Sequence, residues 1–115
     1  MIEKDNLIVR LTFQFSLDVI GFTERLEQMK KFNLSNQLFR SGTSIGANVR
    51  EAQGCESRAD FVHKMKIAYK EVEETRYLLE LCAQSENYPA PLSASISAAG
   101  TTARSTASVP PLEKR

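Results

Sequence analysis

Side chains able to act as acids, bases or nucleophiles are few in this chain of 115 residues. His63 is the sole histidine, so a metal site with two histidines or a Ser-His-Asp triad is hard to build. Four glutamates lie close together beyond it, but the Glu-x-x-His repeat of carboxylate-bridged metal bundles is absent. The sequence therefore predicts a protein that is not an enzyme, with no catalytic residues, no cofactor and no metal site.

The two cysteines add little chemistry. Cys82 falls in an apolar stripe, where a cysteine behaves as a small apolar residue, and Cys55 lies at a turn without a histidine to activate it. Two cysteines form no disulfide framework and suit a reducing compartment, so we expect a cytoplasmic protein. No apolar run approaches the roughly 20 residues that span a bilayer, and the polar start is no signal peptide, so no membrane partner is expected.

Positive side chains are the remaining candidates for binding. The chain has 15 Lys and Arg against 14 Asp and Glu, a net charge of +1, which excludes a strongly basic nucleic-acid-binding protein but permits a local basic patch. Arg40, Arg50 and Arg58 surround the predicted second helix and the turn after it. We expect them to contact nucleic acid if assembly gathers several copies. The alternative is that these charges are dispersed and only keep the protein soluble.

The first predicted element of secondary structure shows two competing patterns of apolar residues. Residues 7–19 carry an apolar residue at every second position, which is typical of a half-buried strand. Apolar residues also recur at steps of three or four from Ile8 to Met29, and this longer stretch includes good helix formers. The longer pattern favours a helix over about residues 4–31.

Two further helices follow after short breaks. The second is predicted over residues 35–53, with Ser35 as its N-cap, and the third over residues 58–84, with Ser57 as its N-cap. The apolar stripe of the third alternates steps of four and three, which is the seam of a helix bundle. The helix-packing residues predicted on this stripe are Phe61, Met65, Ala68, Val72 and Leu79.

Small residues on the second helix indicate close packing of a neighbour. Gly42 and Gly46 lie four apart on one face, and Ala47 follows. A phosphate-binding loop would need Gly-Lys-Ser or Gly-Lys-Thr after a strand, and neither is present, so close approach of another helix is the preferred interpretation. Three amphipathic helices with short connections predict an all-α fold, an up-and-down helical bundle.

The composition changes near Tyr88, which predicts a helical bundle over residues 1–88 and a tail over residues 89–115. The tail is rich in Pro, Ala, Ser and Thr and offers little large apolar surface to offset its ordering entropy. We expect it to be poorly ordered, with a weak helix as the alternative.

Three segments together point to a known family. They are RSGTSIGANVREA over residues 40–52, SRADF over residues 57–61 and IAYKEVEET over residues 67–75. Over residues from about 6 to 90 the chain resembles the bacterial four-helix-bundle proteins of the 23S rRNA intervening-sequence family. The resemblance implies a four-helix bundle that assembles as a homopentamer, and brings no catalytic residues. The related accessory proteins of diversity-generating retroelements imply a basic ring surface that holds nucleic acid and a partner protein.

The chain departs from the family pattern after Pro89. A fourth helix rich in Leu, Ile, Glu and Lys is expected there, and the tail stands in its place, so we expect that helix to be degenerate or missing. A shifted reading frame is one hypothesis for this change. The seam between the first and third helices would then be uncovered, and the tail or another subunit must close it.

The leading interpretation is a non-enzymatic helical-bundle protein that acts through self-assembly, with RNA association as a hypothesis. The alternative is a protein–protein interaction module or accessory subunit with no nucleic-acid contact. A salt-titrated RNA-binding assay separates the two, because contacts to phosphates weaken as salt rises.

Overall fold

The computed structural model describes residues 6–91 together with Ala98, Thr102 and Arg104. This part of the chain contains three long helices and no strand, so the all-α prediction is confirmed. The helices are α1, Leu7–Gln28; α2, Phe32–Gln53; and α3, Arg58–Gln84. The four-helix type, predicted with a degenerate or missing fourth helix, is not confirmed, because the described residues form three long helices. None of these three is long and apolar enough to cross a membrane.

Capping side chains explain where α1 and α3 begin. The Asn6 side chain accepts a hydrogen bond from the N–H of Val9 at 3.3 Å, which satisfies one of the amides left unpaired at a helix start. Ser57 accepts one from the N–H of Asp60 at 3.1 Å, which confirms the cap predicted for α3. The start predicted for the first helix, residue 4, lies outside the described residues.

The prediction for the break between α1 and α2 is wrong. α1 ends at Gln28 rather than near residue 31, and Lys30 adopts a left-handed backbone conformation with φ of 63°. α2 begins at Phe32, so Ser35 lies within its first turn and is no N-cap. The buried Ser35 hydroxyl instead donates to the carbonyl of Thr23 on α1 at 3.0 Å. A contact between helices determines the role of this serine.

α2 lies between the other two helices. It packs against both α1 and α3, whereas no Cα atom of α1 lies within 8 Å of a Cα atom of α3. The connections of three and four residues make successive helices antiparallel. The three helices therefore follow one another in up-and-down order, with α2 as the central helix.

Apolar residues from all three helices meet in one core cluster. Phe15 and Leu26 of α1 and Leu38 of α2 are almost completely inaccessible to water. α3 adds Val72 and Leu79, which the sequence pattern placed on its seam. Burial of these side chains is the main force that holds the helices together.

Described residues of the C-terminal segment lie beside α1. Ala98 and Thr102 are helical; Ala98 packs against the core cluster, and Thr102 is 2% exposed. The Thr102 hydroxyl donates to the Ala98 carbonyl at 2.8 Å. Together with α1 they line a pocket of about 220 Å³, whose α1 residues are Leu11, Gln14, Phe15 and Asp18. The tail therefore covers part of α1, one of the two helices whose seam was predicted to be uncovered. The hypothesis of a shifted reading frame concerns mainly residues that lie outside the described part of the chain.

Candidate association surface

A shallow groove runs between α1 and α2 on the outer side of the molecule. Its volume is about 320 Å³, and its walls carry mainly small or apolar side chains. Phe13 stands on the α1 wall and is 53% exposed, while Arg50 stands on the α2 wall. The residues that define this α1–α2 groove are Val9, Thr12, Phe13, Ser16, Thr43, Gly46, Ala47 and Arg50.

The two glycines of α2 let α1 approach closely beside this groove. A Cβ atom on Gly42 would lie 2.6 Å from Cγ1 of Val19, far inside van der Waals contact. A Cβ atom on Gly46 would lie 3.4 Å from the carbonyl oxygen of Thr12. The Ser16 hydroxyl lies 3.3 Å from the carbonyl oxygen of Gly42, to which it donates. The predicted close approach of a neighbouring helix is confirmed.

Exposed apolar side chains continue the groove along both helices. Leu17 follows Phe13 by one helical turn on α1 and is 46% exposed. Phe39 precedes Thr43 by one turn on α2 and is 48% exposed. Because residues four apart share a helix face, these side chains extend the apolar surface beyond the groove walls.

Ala47 departs from the role predicted for it. It was expected among the helix-packing residues with Gly42 and Gly46, but the structure leaves it exposed on the groove wall. The reason is angular: one residue along a helix turns the side chain by about 100°, which carries Ala47 outward from the side on which α1 packs. Of the residues predicted to pack on α3, Phe61 is half-buried; the buried ones are Met65, Ala68, Val72 and Leu79.

The three predicted nucleic-acid contacts lie in different surroundings. Arg40 forms ion pairs with Glu71, at 3.3 Å, and with Glu74, so it joins α2 to α3. These contacts, chiefly the hydrogen bond to Glu74, raise the pKa of Arg40. Arg50 lies across the molecule over the Phe13 ring, 5.7 Å from its centroid. Arg58 is the exposed first residue of α3. The three do not form one patch within a single chain.

The other candidates for chemistry are spread over the described residues. His63 is exposed on α3, as expected for a surface histidine. Cys82 is 1% exposed, and burial raises the pKa of its thiol to about 11, whereas Cys55 is half-buried in the α2–α3 turn. Within the described part of the chain, no group of three or more His, Cys, Asp or Glu could hold a metal ion.

Phe13 and Leu17 are the surface residues that the sequence interpretation missed. Both belong to the alternating pattern of residues 7–19, which was attributed to a competing strand. In the structure the alternation has another cause, because α1 carries Phe15 and Val19 in the core and Phe13 and Leu17 outside. A helix with two apolar faces is the signal that could have revealed the groove.

Comparison with known proteins identifies the family. The profile described as 23S rRNA-intervening sequence protein matches residues 4–99, a range that covers all three helices. The chain belongs to the 23S rRNA-intervening sequence protein family. The resemblance drawn from the motifs of α2 and α3 is thereby confirmed, while the link to retroelement accessory proteins stays a prediction. A search of curated proteins gives no match.

A solved structure agrees in fold with this chain. It is the crystal structure of a protein with unknown function from the S23 ribosomal protein family, from Bacteroides thetaiotaomicron VPI-5482. The two chains are 35% identical, and the match covers 89% of this chain and 96% of that chain, with a TM-score of 0.83. This chain and the Bacteroides thetaiotaomicron protein thus share the helical architecture described here.

Proposed function

We propose that this chain is a non-enzymatic helical building block that associates with copies of itself through the α1–α2 groove. The observation that carries the proposal is the exposed apolar surface formed by Phe13, Leu17 and Phe39 beside a concave wall of small residues. Large aromatic side chains facing a groove are typical anchors of protein interfaces. The free thiols agree with a cytoplasmic location.

A second copy is the occupant that suits this surface best. Phe13 and Phe39 supply knobs, and Gly46 and Ala47 supply a hole, so one patch offers both halves of a contact between helices. Arg50 lies over Phe13 at the rim, where interfaces usually keep their polar groups. The family resemblance implies a pentamer, with five times the chain mass of 12.9 kDa.

Ala47→Glu tests the proposal, with Ala83→Glu as matched control. Both alanines are exposed on helices, so neither change should unfold the chain, but only the first places a charge in the groove. We expect wild type and Ala83→Glu to elute as an oligomer in size exclusion with light scattering, and Ala47→Glu to shift to 12.9 kDa. A monomeric wild-type protein, or equal masses for both variants, would contradict self-association through this groove.

We propose RNA as the partner of the assembled form. The support is the 23S rRNA-intervening sequence named in the family description and the exposed position of Arg50 and Arg58. Repeating these arginines around an assembly would multiply weak phosphate contacts. Arg40 contributes less, because its guanidinium already faces two glutamates.

Fluorescence anisotropy with labelled RNA at about 50 and about 200 mM salt tests this partner. We expect affinity to fall steeply with salt, and Arg58→Gln to weaken binding more than Arg40→Gln does. Absence of RNA binding at low salt would favour the alternative function, a protein–protein interaction module without nucleic-acid contact. Binding that does not change with salt would contradict phosphate contacts.

A further inference from the structure

A second groove lies where α2 begins and α3 ends, remote in the chain from the α1–α2 groove. Its volume is about 360 Å³, within the range of roughly 300–1,000 Å³ common for clefts that hold small ligands. We call it the α2–α3 groove and define it by Asn33, Leu34, Gln37, Leu81, Ser85 and Tyr88.

The apolar part of this groove consists of two leucines and a tyrosine. Leu34 and Tyr88 are partly buried and pack against the core cluster, so the structure holds them in place. Leu81 is 44% exposed on the α3 side. Two leucines and a tyrosine give the groove an apolar wall against which a nucleobase can pack.

The polar part of the groove offers hydrogen-bonding groups that the protein does not use. The side chains of Asn33, Gln37 and Ser85 form no hydrogen bond with the described part of the chain. Each amide presents a donor and an acceptor side by side, and this pair matches the donor and acceptor edge of a nucleobase. The groove thus combines apolar walls with unused amides.

The charge at this end favours an anionic ligand. The Lys31 ammonium lies 4.8 Å from the centroid of the Tyr88 ring, and Lys30 precedes it in the chain. Neither lysine forms an ion pair with the described residues, and the first turn of α2 contains no acidic residue. Glu80, exposed just before Leu81, and Glu86, exposed just after Ser85, are the acids nearest to the groove in sequence.

We propose that the α2–α3 groove binds one unpaired nucleotide of an RNA strand. The base lies against Leu34 and Leu81, the amide of Gln37 contacts its edge, and the phosphate faces Lys30 and Lys31. This inference rests on the proposed RNA partner and adds that the recognised RNA is single-stranded, since a paired base cannot enter a groove. An acidic peptide is the competing ligand, and competition by polyglutamate separates the two.

The test uses full-length protein, a short single-stranded RNA with 2-aminopurine, and the same sequence as a duplex. Gln37→Glu removes one donor and adds a negative charge in the groove, while Gln28→Glu adds the same charge at the exposed end of α1. We expect Gln37→Glu to weaken single-strand binding about tenfold, the size of one lost base contact, and to abolish the 2-aminopurine signal change. Gln28→Glu should weaken binding less than about threefold, as for one screened charge.

Three outcomes would overturn the inference about the α2–α3 groove but leave the proposal of an RNA partner standing. They are equal losses for both variants, duplex binding as tight as single-strand binding, and an unchanged 2-aminopurine signal in Gln37→Glu. Competition by polyglutamate that is lost in Gln37→Glu would assign the groove to acidic peptides instead. Failure of every RNA to bind at low salt would remove the proposed partner as well, so the two failures are distinguishable.

Discussion

Among single residues, Cys82 shows most clearly how the fold changes a side chain's chemistry. Cys82 lies on α3 within the core cluster, and its side chain is 1% exposed. Burial raises the pKa of its thiol to about 11, because the thiolate would lose its hydration there. A thiol that stays protonated at neutral pH is a poor nucleophile. The sequence interpretation of Cys82 as a small apolar core residue is confirmed.

The raised pKa of Cys82 predicts a loss of stability at high pH. The folded chain holds the thiol proton up to a pKa of about 11, against an ordinary value of 9.0. The contribution is therefore complete below pH 9 and is lost as the pH rises towards 11. Between pH 8 and pH 11, wild type should lose about 2 kcal/mol more unfolding free energy than Cys82→Ala, measured in urea. Equal losses in both proteins would refute the prediction.

Lys30 offers a test of backbone strain at the end of α1. Its φ of 63° is a left-handed conformation that costs a residue with a Cβ atom about 1 kcal/mol, and glycine avoids that cost. We expect Lys30→Gly to raise the free energy of unfolding by about 0.5–1 kcal/mol in urea titration. Lys31→Gly is the control, because Lys31 has an ordinary φ of −91° and should lose stability. A lower free energy of unfolding for Lys30→Gly would contradict backbone strain at Lys30.

At the scale of the elements, the contact between α1 and α2 depends on small residues. Gly42 faces Val19 across the helix pair, and the Ser35 hydroxyl reaches the carbonyl of Thr23. On the other side of α2, the buried hydroxyl of Thr75 donates to Ser41 at 2.9 Å. Such short side chains let helix backbones approach, and their hydroxyls find partners where water is excluded.

Two glycine-to-alanine substitutions separate packing from helix propensity. In Gly42→Ala the new methyl group would lie 2.6 Å from Val19, so we expect a loss of about 1–3 kcal/mol of unfolding free energy. In Gly21→Ala the methyl group meets nothing within 4 Å, and α1 should gain about 0.5–1 kcal/mol. Thermal unfolding followed by circular dichroism measures both. Changes of the same sign would show that the α1–α2 contact is looser than described.

At the scale of the whole molecule, the C-terminal segment covers apolar surface that the three helices leave exposed. α2 packs against α1, whereas α3 has no Cα atom within 8 Å of one in α1. Ala98 and Thr102 cover part of α1, beside Leu11 and Phe15.

The covering role of the tail predicts a cost for charging it. Ala98→Glu places a carboxylate against the core cluster and should lower the free energy of unfolding by about 1–3 kcal/mol. Ala90→Glu, at an exposed position near the start of the tail, should change it by less than about 0.5 kcal/mol. Urea unfolding measures both values. An Ala98→Glu protein as stable as Ala90→Glu would mean that the tail leaves α1 uncovered.

The sequence by itself determined the helices, because their apolar spacing and the Ser57 cap are local properties of the chain. Its motifs over α2 and α3 also identified the family, since long specific segments need no coordinates to be recognised.

Only the tertiary structure decided which apolar residues stay on the surface. Phe13 and Phe15 are equally apolar in sequence, and the positions of α2 and the C-terminal segment around α1 make one a surface residue and the other a core residue. The same holds for Arg40, whose partners Glu71 and Glu74 lie on another helix. Burial and pairing depend on contacts between segments remote in the chain, and a local pattern does not contain them.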